Sequence, residues 1–155
     1  MPKRRAPLPV VTSLLDTPKA LITAELRRRQ ALGQIPQTET PVRMPLNQYI
    51  AGAWRYVDPI PFQSNWHIDA MSEHLMAVAD GIIPKIVINV PPGSSKSITT
   101  SVMFPSWDWG PNARPNRRFL CTSYAMAIAE RDALKMRRLI DEPWYQQEWG
   151  PVFQW

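Results

Sequence analysis

The most informative part of this sequence is residues 85–97, which read Lys-Ile-Val-Ile-Asn-Val-Pro-Pro-Gly-Ser-Ser-Lys-Ser. The β-branched run at residues 85–90 predicts a short buried strand. A loop follows at residues 91–95, and Lys96 begins a predicted helix that Pro105 bends or ends. A strand that enters a helix through a short loop predicts the start of a parallel βαβ unit.

The segments on both sides of this stretch extend the same pattern. Ser64 or Asn65 caps a predicted helix that runs to about Asp80, and residues 118–123 predict a second strand. Residues 125–141 predict an amphipathic helix. The apolar stripes of these two helices are Ile68, Met71, Leu75 and Val78, and then Met126, Ala129, Ala133, Met136 and Ile140. Together the elements predict an α/β fold, with a parallel sheet flanked by helices.

The first 60 residues differ from the rest in composition. The chain has 17 prolines in 155 residues and a net charge of +5. Residues 1–60 hold nine Lys/Arg against four Asp/Glu, whereas residues 61–155 hold nine of each. We therefore predict a basic, proline-rich N-terminal arm with a short helix at residues 1–60, and a folded domain at residues 61–155. The basic runs at residues 3–5 and 27–29 fit either phosphate contacts or a solvated surface.

Cysteine content and hydropathy exclude two classes of protein. The single cysteine, Cys121, excludes an internal disulfide. No run reaches the ~20 apolar residues that a membrane-spanning helix needs, so no membrane is predicted as a partner.

Several charged side chains outside the loop are given structural roles. Arg131, Arg137 and Arg138 favour a solvated helix face, and a contact with nucleotide or DNA is the alternative. His67 and His74 lie two helical turns apart, which is too far for the pair alone to hold a metal ion.

The loop itself has the chemistry of a phosphate site. Backbone N–H groups of residues 93–95 can point at an anion at the start of a helix. Lys96 can reach the terminal phosphates of a nucleotide, and the Ser97 hydroxyl can hold Mg²⁺. However, Val90 and Ser95 occupy the two glycine positions of the usual G-x-x-x-x-G-K-[ST] pattern. An ordinary strand-to-helix turn capped by one of its serines is therefore the alternative.

Residues 88–97 resemble the Walker A segment of the large terminase subunits of tailed phages and prophages, a family that often replaces the glycine before the lysine. Four further blocks resemble that family in the same order, at residues 66–75, 104–111, 119–140 and 143–150. The similarity covers roughly residues 60–155.

The resemblance implies an ATP-binding motor domain with a P-loop fold of the additional-strand type, and ATP and Mg²⁺ as its ligands. The implied nucleotide-binding residues are Gln63, Gly93, Ser94, Ser95, Lys96 and Ser97. Ser97 would hold Mg²⁺ together with the nucleotide. Gln63 would bind the adenine edge, although an exposed loop glutamine is the alternative.

The same family implies a place and partners. Its members pump double-stranded DNA through the portal protein into a procapsid in the host cytoplasm, as a homo-oligomeric ring alongside a small terminase subunit. The family's Walker B acids and nuclease carboxylates are expected beyond Trp155, so the chain is expected to be an incomplete first part of the ATPase domain. No catalytic residue and no hydrolysis are predicted for it. The alternatives are a truncated, non-catalytic fragment that binds DNA or a partner, and an unrelated small P-loop phosphotransferase.

Overall fold

The computed structural model describes Arg28 and residues 44–152, and the regular elements within them are all helical. The α-helices are α1, Leu46–Ala53; α2, Trp66–Ala79; α3, Phe104–Trp109; α4, Met126–Asp141; and α5, Pro143–Trp149. A π-helical segment, Ile98–Met103, runs directly into α3, and 3₁₀ turns follow α1 (Trp54–Tyr56) and α5 (Gly150–Val152). None of the helices in residues 44–152 combines the length and the apolar character needed to span a bilayer.

The predicted α/β fold is wrong for this part of the chain, and so is the additional-strand P-loop sheet. Neither residues 85–90 nor residues 118–123 form a strand, and no sheet joins any of the described segments. Ile86 and Ile88 are half-buried and Val87 and Asn89 exposed, so the alternation typical of a strand is present. A strand also needs a neighbour to pair its backbone N–H and C=O groups, and a local pattern cannot supply one.

The helix predicted upstream of the loop is confirmed as α2. Asn65 immediately precedes it in an extended conformation, and Gly81, with φ of +71°, follows its C-terminal end. Ile68, Met71 and Leu75 are buried, as the predicted stripe requires.

The second amphipathic helix is confirmed as α4, but its predicted stripe is only partly right. The residues that α4 buries are Asp132 and Leu139, whereas Met126 is 87% exposed. Met136 and Ile140 are partly buried against the core. The apolar contacts of α4 with the core therefore lie in its C-terminal half, and the buried residue nearer its start is Asp132.

One hydrophobic core joins the helices, and α1 belongs to it. Its buried residues are Leu46, Tyr49, Ile50, Ala53, Trp54, Ile68, Met71, Leu75, Ala79, Val102, Met103, Phe104, Trp107, Leu139 and Tyr145. Burying a large apolar side chain contributes about 1.5–3 kcal/mol, so a core of this size is the main stabilising term. The predicted division of the chain at residue 60 stays a prediction, and α1 packs against residues on the far side of it.

The helical run continues through Pro105 instead of ending there. Proline donates no backbone hydrogen bond and its ring crowds the preceding turn, which breaks a regular α-helix. Here the preceding turns are the π-helical segment, and Pro105 lies at the first turn of α3, where a missing N–H is tolerated. The Ser106 hydroxyl lies 2.8 Å from the carbonyl of Val102 and 3.0 Å from that of Met103, and donates to this pair.

A buried ion pair fastens the loop after α3 to the end of α2. Asp108 is fully buried, its Oδ2 lies 3.3 Å from Arg117 Nε, and its Oδ1 accepts a hydrogen bond from Asn112 Nδ2 at 2.5 Å. Arg114 and Arg117 both donate to the carbonyl of Ala79, the last residue of α2. The two guanidinium groups thus compensate the buried carboxylate and the negative end of the helix dipole together.

Two buried tyrosines meet at Ser106. The Tyr49 hydroxyl donates to Ser106 Oγ at 2.9 Å, and the Tyr145 hydroxyl donates to the Ser106 carbonyl at 2.7 Å. Desolvation raises the pKa of Tyr49 well above its ordinary value of 10.0, and it also raises the pKa of Tyr145. The unfolded chain therefore loses these protons first. The stabilisation is fully present below about pH 10 and is lost as the pH rises above it.

We expect Tyr49→Phe to lower the free energy of unfolding by about 1 kcal/mol at pH 7, because a buried hydrogen bond is lost. Above pH 10 the free energies of unfolding of the variant and the unsubstituted chain should converge. There each buried phenol lowers the free energy of unfolding by about 1.4 kcal/mol per pH unit, and the variant has one such phenol fewer. Urea unfolding at pH 7 and at several values above pH 10 measures both effects. Tyr124→Phe is the matched control at pH 7, since that side chain is 94% exposed. A difference in free energy of unfolding that stays constant above pH 10 would contradict a raised pKa for Tyr49.

Candidate functional site

A cleft of about 980 Å³ lies beside the loop that precedes the π-helical segment. This volume lies within the range of small-molecule sites. Its lining residues come from three parts of the chain, which are residues 54–68, residues 90–98, and Tyr124 before α4 with Arg131 within it. The cleft therefore joins segments that the sequence keeps well apart.

The loop is curled by two residues in the left-handed region of backbone space. Gly93 has φ of +83° and Ser95 has φ of +56°, with Ser94 between them. The Ser94 hydroxyl donates to the Pro91 carbonyl at 2.7 Å, which closes the turn. Glycine adopts positive φ freely, whereas a serine there costs on the order of 1–2 kcal/mol. Ser95, which occupies a glycine position of the usual pattern, therefore holds a strained backbone conformation.

The same serine marks the start of the helical run. The Thr99 amide donates to the Ser95 carbonyl at 2.9 Å, and Lys96 and Ser97 already have helical backbone. The amides of Lys96, Ser97 and Ile98 belong to the first turn, whose N–H groups have no intrahelical acceptor. The positive end of the helix dipole adds to them. The loop therefore ends in a set of donors suited to an anion.

All six predicted nucleotide-binding residues line this one cleft, and they are Gln63, Gly93, Ser94, Ser95, Lys96 and Ser97. Gly93, Lys96, Ser97 and Gln63 are exposed, and the two remaining serines are half-buried. The ammonium group of Lys96 is thus accessible to a ligand in the cleft. The roles of these residues stay predictions, but their convergence is a feature of the structure.

Arg131 joins the cleft, although the sequence favours a solvated helix face for it over a contact with nucleotide or DNA. Its side chain lines the cleft, and its Nε and Nη2 lie 2.9 and 2.7 Å from Asp132 Oδ1. Arg137 matches the favoured interpretation, because it lies on the exposed face and pairs there with Asp141 at 3.7 Å. The apolar stripe predicted for α4 does not include Asp132, which the structure buries.

Metal-binding clusters are not found in the described residues, where no three His, Cys, Asp or Glu side chains come together in a suitable group. His74 is buried, and its Nδ1 lies 2.8 Å from the Ala70 carbonyl. This agrees with the structural role predicted for it.

Comparison of the chain with protein-family models, with curated proteins and with solved structures finds no match.

The strained backbone at Ser95 predicts that a substitution there can stabilise the folded chain. Ser95→Gly should raise the free energy of unfolding by about 0.5–1 kcal/mol, because the relief of strain exceeds the added freedom of the unfolded chain. Ser94→Gly is the matched control and should lower it, since it removes the hydrogen bond to Pro91 without relieving a positive φ. Urea unfolding of both variants distinguishes them by sign. A loss of stability in Ser95→Gly would show that the loop does not hold this conformation.

Proposed function

We propose that the cleft binds the phosphate chain of ATP and that this chain is an ATP-binding segment of a large terminase subunit, which packages double-stranded viral DNA. The observation that carries the proposal is the convergence of Gln63, the curled loop and Lys96 on one cleft. The terminase assignment rests on the five sequence blocks that resemble that family in order. The parallel sheet is not part of the proposal.

An anion site of this kind needs no sheet. Its donors are the backbone amides at one helix start and one lysine, and all of them lie within residues 93–98. A helix N-terminus attracts phosphate through its unpaired N–H groups and its dipole, whatever precedes the loop. Charge-assisted hydrogen bonds from Lys96 add to this attraction.

The other parts of the nucleotide have matching groups in the same cleft. The Gln63 amide can donate and accept one hydrogen bond each at the adenine edge. The exposed Ser97 hydroxyl is a hard oxygen ligand that would hold Mg²⁺ together with phosphate oxygens. Bound Mg²⁺ would neutralise part of the phosphate charge.

The proposal covers nucleotide binding and leaves hydrolysis unassigned. The carboxylate among the residues that line the cleft is Asp58, and its Oδ1 accepts a hydrogen bond from the Ile60 amide at 3.0 Å. That bond fixes the turn after the first 3₁₀ segment, which is a structural role. We therefore assign no general base.

Calorimetric titration of the full chain with ATP and Mg²⁺ tests the binding site. Lys96→Ala should weaken ATP binding by roughly 10–100-fold, the equivalent of about 1.5–3 kcal/mol for a charge-assisted hydrogen bond. Lys85→Ala is the matched control, because Lys85 is also exposed but does not line the cleft. Equal affinities in the two variants, or no ATP binding by the full chain, would remove the proposal.

The packaging role predicts that ATP and duplex DNA influence each other's binding, since a motor driven by ATP must change its hold on DNA with nucleotide state. We expect ATP to shift the affinity of the full chain for a short DNA duplex, and we expect this shift to vanish in Lys96→Ala. Fluorescence anisotropy at several salt concentrations measures it. The opposite result has two parts: ATP leaves the DNA affinity unchanged, and substitution of Lys3, Arg4 and Arg5 by neutral residues abolishes DNA binding. In that case the chain is a non-catalytic DNA-binding fragment.

A further inference from the structure

The cleft holds a second cation besides Lys96, and it comes from a different element. Arg131 lies in the N-terminal half of α4, 35 positions beyond Lys96 in the chain, and lines the same cleft. Among the described residues that line the cleft, the remaining Asp, Glu, Lys or Arg side chain is Asp58. A ligand in the cleft therefore meets positive charge from the helix start and from α4.

The guanidinium group of Arg131 is held in place by its neighbour. Its Nε and Nη2 both approach Asp132 Oδ1, at 2.9 and 2.7 Å. The Asp132 side chain is 8% exposed and that of Arg131 is 55% exposed, so the anchor is buried and the cation reaches solvent. A guanidinium group carries five N–H donors in a rigid fork. Two of them face Asp132, which leaves three for an anion.

We propose that Arg131 is a specificity-determining residue of the cleft, which contacts the phosphate chain of the ligand and favours a triphosphate over a monophosphate, and that Asp132 positions it. The inference rests on the proposed function, because it assumes that Lys96 and the loop amides hold phosphate. A monophosphate can bind the donors at the helix start without reaching Arg131. A longer, more highly charged phosphate chain can meet both cations, so removing Arg131 should weaken the triphosphate most.

A purely structural role for Arg131 is the competing explanation, because a buried carboxylate requires a compensating charge. Affinity for one ligand cannot separate the two roles, since a damaged fold weakens all binding. The two roles are separated by the ratio of affinities for two ligands that differ only in phosphate number. Removing both partners at once, in Arg131→Gln/Asp132→Asn, also avoids leaving a buried charge unpaired.

The experiment is calorimetric titration of the full chain with ATP and with AMP. Arg131→Gln and the double variant should each weaken ATP binding about tenfold and AMP binding less than about threefold, so that the ATP-to-AMP preference falls. Asp132→Asn keeps the Arg131 guanidinium group but removes the carboxylate that holds it, and it should lower the ATP-to-AMP preference by a smaller factor. Arg137→Gln is the matched control on the same helix and should leave the preference unchanged. Thermal unfolding of each variant verifies the fold.

Two results would overturn the inference in different ways. If Lys96→Ala weakens ATP binding but every Arg131 variant keeps the original ATP-to-AMP preference, the second cation has no role and the proposed function stands. If the full chain binds neither ATP nor AMP, both the proposed function and this inference fail. A lowered preference in the double variant, with an unchanged unfolding temperature, supports the inference.

Discussion

The two hydrogen bonds that Tyr49 and Tyr145 donate to Ser106 fix the central helical run, and the rest of the molecule is arranged around that run. Ser106 lies in α3, which continues without interruption from the π-helical segment and from the helix start at Lys96. Tyr49 belongs to α1 and Tyr145 to α5, so a single residue joins three helices inside the core. Because both phenols are buried, neither bond competes with water. The direction of the run, and with it the position of the helix start in the cleft, depends on this junction.

The sequence predicts helices and local turns of this protein well, and it fails where distant segments must meet. The end of α2 follows from Gly81 and its buried face from an apolar stripe, which are local signals, whereas Asn65 precedes the helix without the predicted side-chain hydrogen bond to it. The strand predictions used equally local signals, yet β-branched residues describe only what one segment prefers. Pairing depends on a second segment at the right distance and direction. The sequence pattern at residues 85–90 carries no information about the position or direction of such a second segment.

The candidate site shows the same division between local and distant information. The loop residues and Gln63 were identified from the sequence, through loop chemistry and a family resemblance, and the structure brings them to one cleft. The sequence did not place Arg131 at the cleft, because its position there depends on the rotation of α4 about its own axis. Periodicity placed Met126 inside and Asp132 outside, whereas packing buries Asp132 and leaves Met126 exposed. The stripe therefore gave the wrong rotation for the N-terminal half of α4, where the buried side chain is Asp132.

Two unfavourable local features, one in the cleft and one beside it, have a common physical consequence. Ser95 holds a strained positive φ, and Asp132 keeps a carboxylate largely away from water. Each persists because the surrounding fold overdetermines it, through the helix that begins at Ser95 and through the packing of Leu139 on the core. Each also fixes hydrogen-bond donors before any ligand arrives, the loop amides in the first case and a guanidinium group in the second. A ligand that meets fixed donors does not have to order them, so more of the interaction energy remains as affinity.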